Sequence, residues 1–351
     1  MKESIRGASL VVLLIAICFG LVSMRPSFSS LVLEAALFLF SLYALVKAAD
    51  VFTDASVHLG GILGLSHLGT GILIIAIGTS APELFSSIGA AIEGEPEMVI
   101  GNVLGTVVAN SLLGIGCGAM IASYALTVHK DVFGTQMSVF LTAVILVLGS
   151  LYDGVLSWYE GALMLVVLVF YLNDAVKNTK GIDEGIATEI HKDNEEPHSN
   201  KNKADIAGSF VLLVVSLAAL FFSGDFVVSS LIEGGTLLDV SRAKLATTVL
   251  AIGTSIPEIA TAIMLVRKKK VDALFGEIIG SNIFGLLGIL GSISLFGSLA
   301  MRADMLIFLL ASLFFMFIIT SVIMNDRHIN RIEGVSLVSL FVVFTIQLVN
   351  L

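Results

Sequence analysis

The chain has 351 residues, of which 56% are hydrophobic and 13% charged, and a formal net charge of −9; its mean hydropathy is +1.00. That composition excludes an ordinary soluble domain and points to the bilayer. The two cysteines, Cys18 and Cys117, fall in apolar runs and read as small buried hydrophobes, with no disulfide or redox pair.

Taken in chain order, apolar runs close to the ~20 residues a helix needs to cross the hydrocarbon predict eleven spans. They fall at 8–24, 30–54, 70–92, 97–122, 134–152, 157–173, 205–225, 243–266, 271–298, 303–324 and 332–350. The first is short and follows Lys2 and Arg6, as a signal peptide would, but no small-residue cleavage site follows it, which favours a retained span. Between the sixth and seventh spans, Asp174 to Asp205 is hydrophilic, carries much of the charge and has no apolar run long enough to form a core, so it reads as a solvated linker without calcium-loop spacing. The expected organisation is an all-α integral membrane protein: an extra N-terminal segment at 1–29, a first half at 30–173, a cytoplasmic linker at 174–204 and a second half at 205–351. His58, His67, His129, His191, His198 and His328 are placed at span ends or in loops and form no ligand cluster, and no GxxxxGK[ST] loop occurs. Neither an enzyme nor a cofactor is expected, and ATP-driven pumping has no support.

The two halves repeat each other. Gly78–Gly116, opening GTSAPELFSS, lies without a gap over Gly253–Gly291, opening GTSIPEIATA, 175 residues further on. The register joins Glu83 to Glu258, Pro82 to Pro257, Gly101 to Gly276, Gly105 to Gly280 and Gly116 to Gly291; Asp50 and Asp225 are also 175 apart, each expected near the end of the helix before a motif helix. For these two acids, solvation at a helix end and lining of an ion access path both stay open. The turn inside the first copy, Glu93-Gly94-Glu95-Pro96-Glu97, is acidic, whereas that inside the second, Arg267-Lys268-Lys269-Lys270, is basic. Basic turns favour the cytoplasm, so the copies are expected to have opposite orientations. Five spans separate equivalent points, and an odd number inverts the second half. The N-terminus, the linker and Arg327–Arg331 are then inside and the C-terminus outside; Arg242 and Lys244 count against this arrangement and are outvoted.

A midplane glutamate is costly unless a ligand or partner compensates it, and paired acids in a repeat point to transport. Thr79 and Glu83, like Thr254 and Glu258, are four residues apart and share a helix face, with Ser80 and Ser255 a turn before the acids. Pro82 and Pro257 remove amides that would donate to the carbonyls of Gly78 and Gly253, so oxygens near the break, those of Ala76 and Ala251 included, become candidates to face an ion. Carboxylates among hydroxyls and carbonyls suit Ca²⁺, which takes about six to eight oxygens, and Na⁺ can use the same set. A polar stripe, Asn102, Thr106 and Asn110, follows in the first copy; Glu277, Ser281 and Gly285 match it in the second, with Asn282 beside them. Gly101, Gly105, Gly276 and Gly280 would permit close helix approach.

These signatures, AIGTSAPE at 76–83 with GNVLGTVVAN at 101–110 and AIGTSIPE at 251–258 with GEIIGSNIFG at 276–285, resemble the sodium/calcium exchanger family of the cation/calcium exchanger superfamily, over nearly all of 30–350. The resemblance implies ten core helices in two inverted five-helix repeats and antiport of Ca²⁺ against Na⁺ in the plasma membrane, or the inner membrane of a bacterium, with a monomer sufficient for transport. It implies Glu83 and Glu258 as central calcium ligands, backbone oxygens from Thr79 and Thr254, hydroxyls from Ser80 and Ser255, carbonyls from Ala76 and Ala251 at flanking sodium positions, and further ligands in Thr106, Asn110 and Ser281. Two positions depart from the pattern: Gly285 stands where an acid or amide is common, and Glu277 where asparagine is usual. Glu277 is read in three ways, as a displaced oxygen ligand, as a proton carrier, or as an acid facing water at the entrance. Rivals to sodium-coupled exchange are a proton-coupled antiporter of the same fold, a cation channel, and a non-transporting scaffold.

Overall fold

The computed structural model describes residues 2–25, 30–127, 130–178, 203–238, 253 and 255–350. Helix α1 (Lys2–Met24) leads into α2 (Leu31–Leu63), which starts where the Ser30 hydroxyl accepts the Leu33 amide and stops at Gly64, whose φ of 72° suits a residue without Cβ. Helix α3 (His67–Thr70) runs through a π segment (Gly71–Ala76) into a turn, α4 (Ile77–Thr79), breaks at Ser80 and resumes as α5 (Ala81–Ile92). The partner helix α6 (Pro96–Ala109) passes through a second π segment (Asn110–Gly114) into α7 (Ile115–Ile121). Strand β1 (Leu126–Thr127), α8 (Lys130–Ser150), β2 (Val155–Leu156) and α9 (Trp158–Asn178) complete the first half.

The second half repeats the plan. Helix α10 (Lys203–Leu237) corresponds to α2 and α11 (Ile256–Arg267) to α5; α12 (Val271–Ile283), a π segment (Phe284–Ile289) and α13 (Leu290–Ser294) correspond to α6 and its continuation. Then follow β3 (Leu299–Ala300), α14 (Ala303–Ile323), β4 (His328–Ile329) and α15 (Arg331–Asn350). Among the described residues nine helical runs are long and apolar enough to span a membrane, and 134–150 is a shorter apolar helix. Of the span expected at 243–266 only the part from Ser255 onward, with Gly253, is described. Exposed Val32, Leu39, Phe170, Ile307 and Phe315 present an apolar outer surface to lipid.

Two spans differ from expectation. The runs at 30–54 and 205–225 belong to helices of 33 and 35 residues, about 50 Å long against a hydrocarbon core of about 30 Å. Asp54 and Asp225 end the predicted spans but do not stop the helices, because the small and apolar residues that follow keep helical geometry. Asp50 and Asp225 therefore lie inside these helices, not near their ends. His58 is likewise inside α2, with Nδ1 2.8 Å from Ser209 Oγ on α10. Ser209, Ser216, Ser223 and Ser230 recur every seven residues on α10 and are all buried, a seam of small side chains where the two long helices pack.

The inversion is visible atom by atom. β1 pairs antiparallel with β4 through Leu126–Ile329 and Thr127–His328; β2 pairs with β3 through Leu156–Leu299 and Val155–Ala300. Leu126 is equivalent to Leu299 and Leu156 to Ile329, each 173 residues on, so one ribbon is the other with its halves exchanged. Glycines obey the same rule: a Cβ on Gly116 would lie 3.0 Å from Gly334 O, and one on Gly291 would lie 3.0 Å from Gly161 O. One ribbon closes a face that also holds the basic turn 267–270; the other closes the face with the acidic turn 93–97, where the Arg302 amide donates to Glu97 Oε1 at 3.0 Å.

Candidate cation site at the crossing of the two repeats

Helices α5 and α11 begin at equivalent residues. Ser80 (φ −80°, ψ 0°) and Ser255 (φ −89°, ψ 0°) precede α5 and α11, each with proline in its first turn and glutamate just after. These starts set Glu83 and Glu258 in the first turn of a helix, where free amides and the helix dipole favour a carboxylate. Helix α12 crosses the π segment of the first motif closely. A Cβ on Gly71 would strike Ala273 O, one on Gly276 would lie 2.5 Å from Leu68 O, and one on Gly280 3.1 Å from the Ala76 Cβ. Glycine is required here because backbone meets backbone.

Around the crossing, polar side chains from both halves meet. The hydroxyls of Ser80 and Ser281 are 2.8 Å apart, and Asn110 Nδ2 donates to Ser281 Oγ at 3.2 Å. Asn282 Nδ2 donates to Ser111 Oγ at 2.7 Å, a second tie between the halves. Sequence reasoning missed Ser111, and the only signal for it was its place next to Asn110. With both amide nitrogens engaged, Asn110 Oδ1 and Asn282 Oδ1 are buried without a hydrogen-bond partner among the described residues. Thr79 donates its hydroxyl to Ile75 O at 3.1 Å, which holds the side chain against its own helix while the oxygen keeps its lone pairs. The Ala76 carbonyl is less free than expected, since it accepts the Ser80 amide at 3.0 Å, though a second lone pair remains.

The carboxylates are the anomaly. Glu83, Glu258 and Glu277 are 2%, 1% and 0% exposed, and none of their six oxygens has a hydrogen-bond partner among the described residues; Ser255 Oγ has none either. Glu83 and Glu277 both act electrostatically on Glu258. Buried polar groups are almost always paired, and each exception needs a reason. Ser80, Glu83, Thr106, Ser281 and Gly285, with Val103, Val107 and Ile289, line a cavity of about 10 Å³ open to the centre of a water-sized sphere, room for a single small occupant. Full burial of Glu277 overturns the reading that it faces water at an entrance. Ala251 and Thr254 lie outside the described residues.

Among the described residues no three acidic, imidazole or thiol side chains converge on one point, so the chemistry is that of two carboxylates set among neutral oxygens. Such a set suits a hard cation. The chain as a whole is similar to known proteins. A solved structure of the sodium-calcium exchanger NCX_Mj, soaked without Na⁺ and Ca²⁺, superposes with a TM-score of 0.73 and 25% identity over 91% of this chain and all of that one. The inner membrane protein YrbG of Escherichia coli is 30% identical over 81% of this chain and 88% of its own length. The sodium/calcium exchanger MaX1 of Methanosarcina acetivorans is 26% identical over 88% and 97%. The family described as sodium/calcium exchanger protein matches residues 33–173 and 208–349. Those two stretches are the two inverted halves that meet at the unpaired glutamates, and the chain belongs to the sodium/calcium exchanger family.

Proposed function

We propose that Ca²⁺ and Na⁺ bind in turn where the two motifs cross, with Glu83 and Glu258 as the central ligands. The protein is a multi-pass membrane antiporter that exchanges Na⁺ for Ca²⁺ by alternating access. The observation that carries the site is a pair of fully buried, hydrogen-bond-orphaned carboxylates in equivalent positions of two inverted repeats. Ser80, Ser255, Ser281, Thr106 and Asn110 supply side-chain oxygens, and Thr79 and Ala76 supply carbonyls; Thr254 and Ala251 take the equivalent roles in the second half.

The functional units are the repeats at 30–173 and 205–351, joined by the linker at 174–204 and preceded by the extra helix within 1–29. The basic turn 267–270 and the linker lie in the cytoplasm and the acidic turn 93–97 outside, in a plasma membrane or bacterial inner membrane. One chain holds both halves of the site, so a monomer is sufficient for transport. Na⁺ entering down its gradient displaces Ca²⁺, and closing the site around empty carboxylates would strip them of water with no cation to offset their charge, so reorientation is tied to occupancy. Glu277, a buried acid without a counter-charge, favours a second reading, a proton-coupled antiporter of the same fold. Purified protein in liposomes, with Ca²⁺ flux followed under imposed Na⁺ and proton gradients separately, decides between them. Flux is expected with Na⁺ alone; flux that needs only a pH gradient overturns sodium coupling, and flux without a counter-ion indicates a channel.

A further inference from the structure

A second, larger cavity lies on the face of the basic turn. Val46, Lys47 and Asp50 of α2, with Met264, Arg267 and Lys268 at the end of α11, line a space of about 270 Å³, against about 10 Å³ beside Glu83. It gathers three cations. Lys268 is matched by Asp50, at 2.7 Å, and by Asp54. Among the described residues Lys47 and Arg267 have no ion-pair partner, and Lys47 Nζ lies 5.9 Å from the centre of the Tyr43 ring. Three cations against two carboxylates leave one positive charge without its opposite.

The surface that leads to this cavity from the membrane interior is apolar. Leu39 and Tyr43 are exposed and precede Lys47 at intervals of four, so the three share one face of α2. On α11, which packs against α2, the part-exposed Ile256, Ile259 and Ile263 lead in the same way to Arg267. From Leu39 to Lys47 the helix rises about 12 Å, most of one half of a hydrocarbon core about 30 Å thick. Lys47 thus stands where a long stem brings its charge to the edge of the hydrocarbon. A cationic recess at the end of an apolar track fits an amphiphile with a negative head.

We infer that this cavity binds the headgroup of one anionic phospholipid, with its phosphate between Lys47 of α2 and Arg267 of α11 and an acyl chain along Leu39 and Tyr43. The guanidinium of Arg267 offers paired N–H groups that match phosphate oxygens. A phosphodiester with an uncharged headgroup carries one negative charge, which closes the balance of the cavity. A zwitterionic headgroup brings its own ammonium beside Lys47 and Arg267 and cancels that gain. Acidic headgroups are attracted to basic pockets between spanning helices on the cytoplasmic side, the side on which the basic turn is placed above. Because α2 and α11 supply one cation each, the lipid ties the two helices together beside the Lys268–Asp50 ion pair. It uses no group at the crossing of the repeats, so its failure leaves the cation site untouched.

The test is thermal unfolding of the full-length protein in a neutral detergent titrated with phosphatidylglycerol, since a ligand of the folded chain raises its melting temperature. The wild type is expected to be stabilised by phosphatidylglycerol and not by phosphatidylcholine at the same mole fraction. Arg267→Gln is expected to raise the mole fraction for half-maximal stabilisation about fivefold, and Lys47→Gln combined with Arg267→Gln about 25-fold, each lost charge counting separately. Lys269→Gln, exposed on the same turn but outside the cavity, is expected to titrate as the wild type does. Should the double variant fail to fold, Arg267→Gln carries the test, because Arg267 is exposed. An unchanged midpoint in Arg267→Gln overturns the proposal, as does equal stabilisation by phosphatidylcholine. An equal loss in Lys269→Gln overturns it in favour of diffuse attraction to the basic turn. Inorganic phosphate that stabilises as strongly as phosphatidylglycerol at equal concentration overturns it in favour of a soluble anion.

Discussion

At the scale of single residues, the site is defined by groups whose needs the protein does not meet. A charged side chain at the centre of a spanning helix costs about 2.5–3.5 kcal/mol on insertion scales, and among the described residues Glu83 and Glu258 have no hydrogen-bond partner to offset that cost. Glu83→Gln and Glu258→Gln are each expected to reduce Na⁺-driven Ca²⁺ flux to background. In cation-free detergent they should leave the melting temperature unchanged or raise it, because removing an uncompensated buried charge relieves strain. Flux assays and thermal unfolding on the same preparations check both halves of this statement, and a large loss of stability would make the acids structural. The identity of these two residues was legible in the sequence, since a glutamate that recurs in GTSxPE within apolar surroundings calls for a cation to offset its charge. The burial of Glu277 was not legible. It depends on the face that carries Ser87 in one half and Ala262 in the other, a relation between helices that spacing along one helix does not reveal.

At the scale of elements, the sequence announced the helix break before α5 through Pro82, the start of α11 through Pro257, and the close crossings through paired glycines. It did not announce the π segments, which recur at Asn110–Gly114 and Phe284–Ile289. An extra residue in a helical turn costs stability locally and is retained when packing or a ligand compensates, so its cause lies in neighbours that are distant along the chain. The lengths of α2 and α10 were also hidden, since hydropathy marks where a helix leaves the bilayer and not where it ends. The crossing itself sets a sharp steric test. At Gly276 a methyl group would sit 2.5 Å from the Leu68 carbonyl oxygen, whereas at Gly89, inside α5, nothing lies within 4 Å. Gly276→Ala is expected to destabilise by about 1–3 kcal/mol through overpacking, while Gly89→Ala stabilises by about 0.5–1 kcal/mol through its lower unfolded-state entropy. Melting temperatures of the two variants should therefore move in opposite directions from the wild type.

At the scale of the whole molecule, the inverted repeat gives two faces built by one rule and locked by different charges. On the basic face, Lys268 on the turn after α11 pairs with Asp50 and Asp54 on α2, Lys270 lies 3.1 Å from His67 Nε2, and the Tyr124 hydroxyl donates to Val266 O at 2.9 Å. With Gly71 against Gly276 just above them, these contacts close the route from that face to the glutamates. Burial alone would lower the Lys268 pKa, but hydrogen bonds and charge from Asp50 and Asp54 carry it above the ordinary lysine value, so the latch keeps its charge throughout the neutral range. Alternating access requires that the latch part when the site turns to this side. Asp54→Cys with Lys268→Cys, in a chain whose Cys18 and Cys117 are replaced by alanine, puts a thiol at each end of the pair. A short bis-thiosulfonate, which joins the two thiols through disulfides, is expected to stop Ca²⁺ exchange, and reductive cleavage of those disulfides to restore it, while either single cysteine variant is unaffected by the reagent. Exchange that continues at full rate in demonstrably linked protein would mean that α2 and the basic turn move as one body, and the opening would then have to run between α12 and the first motif helix alone.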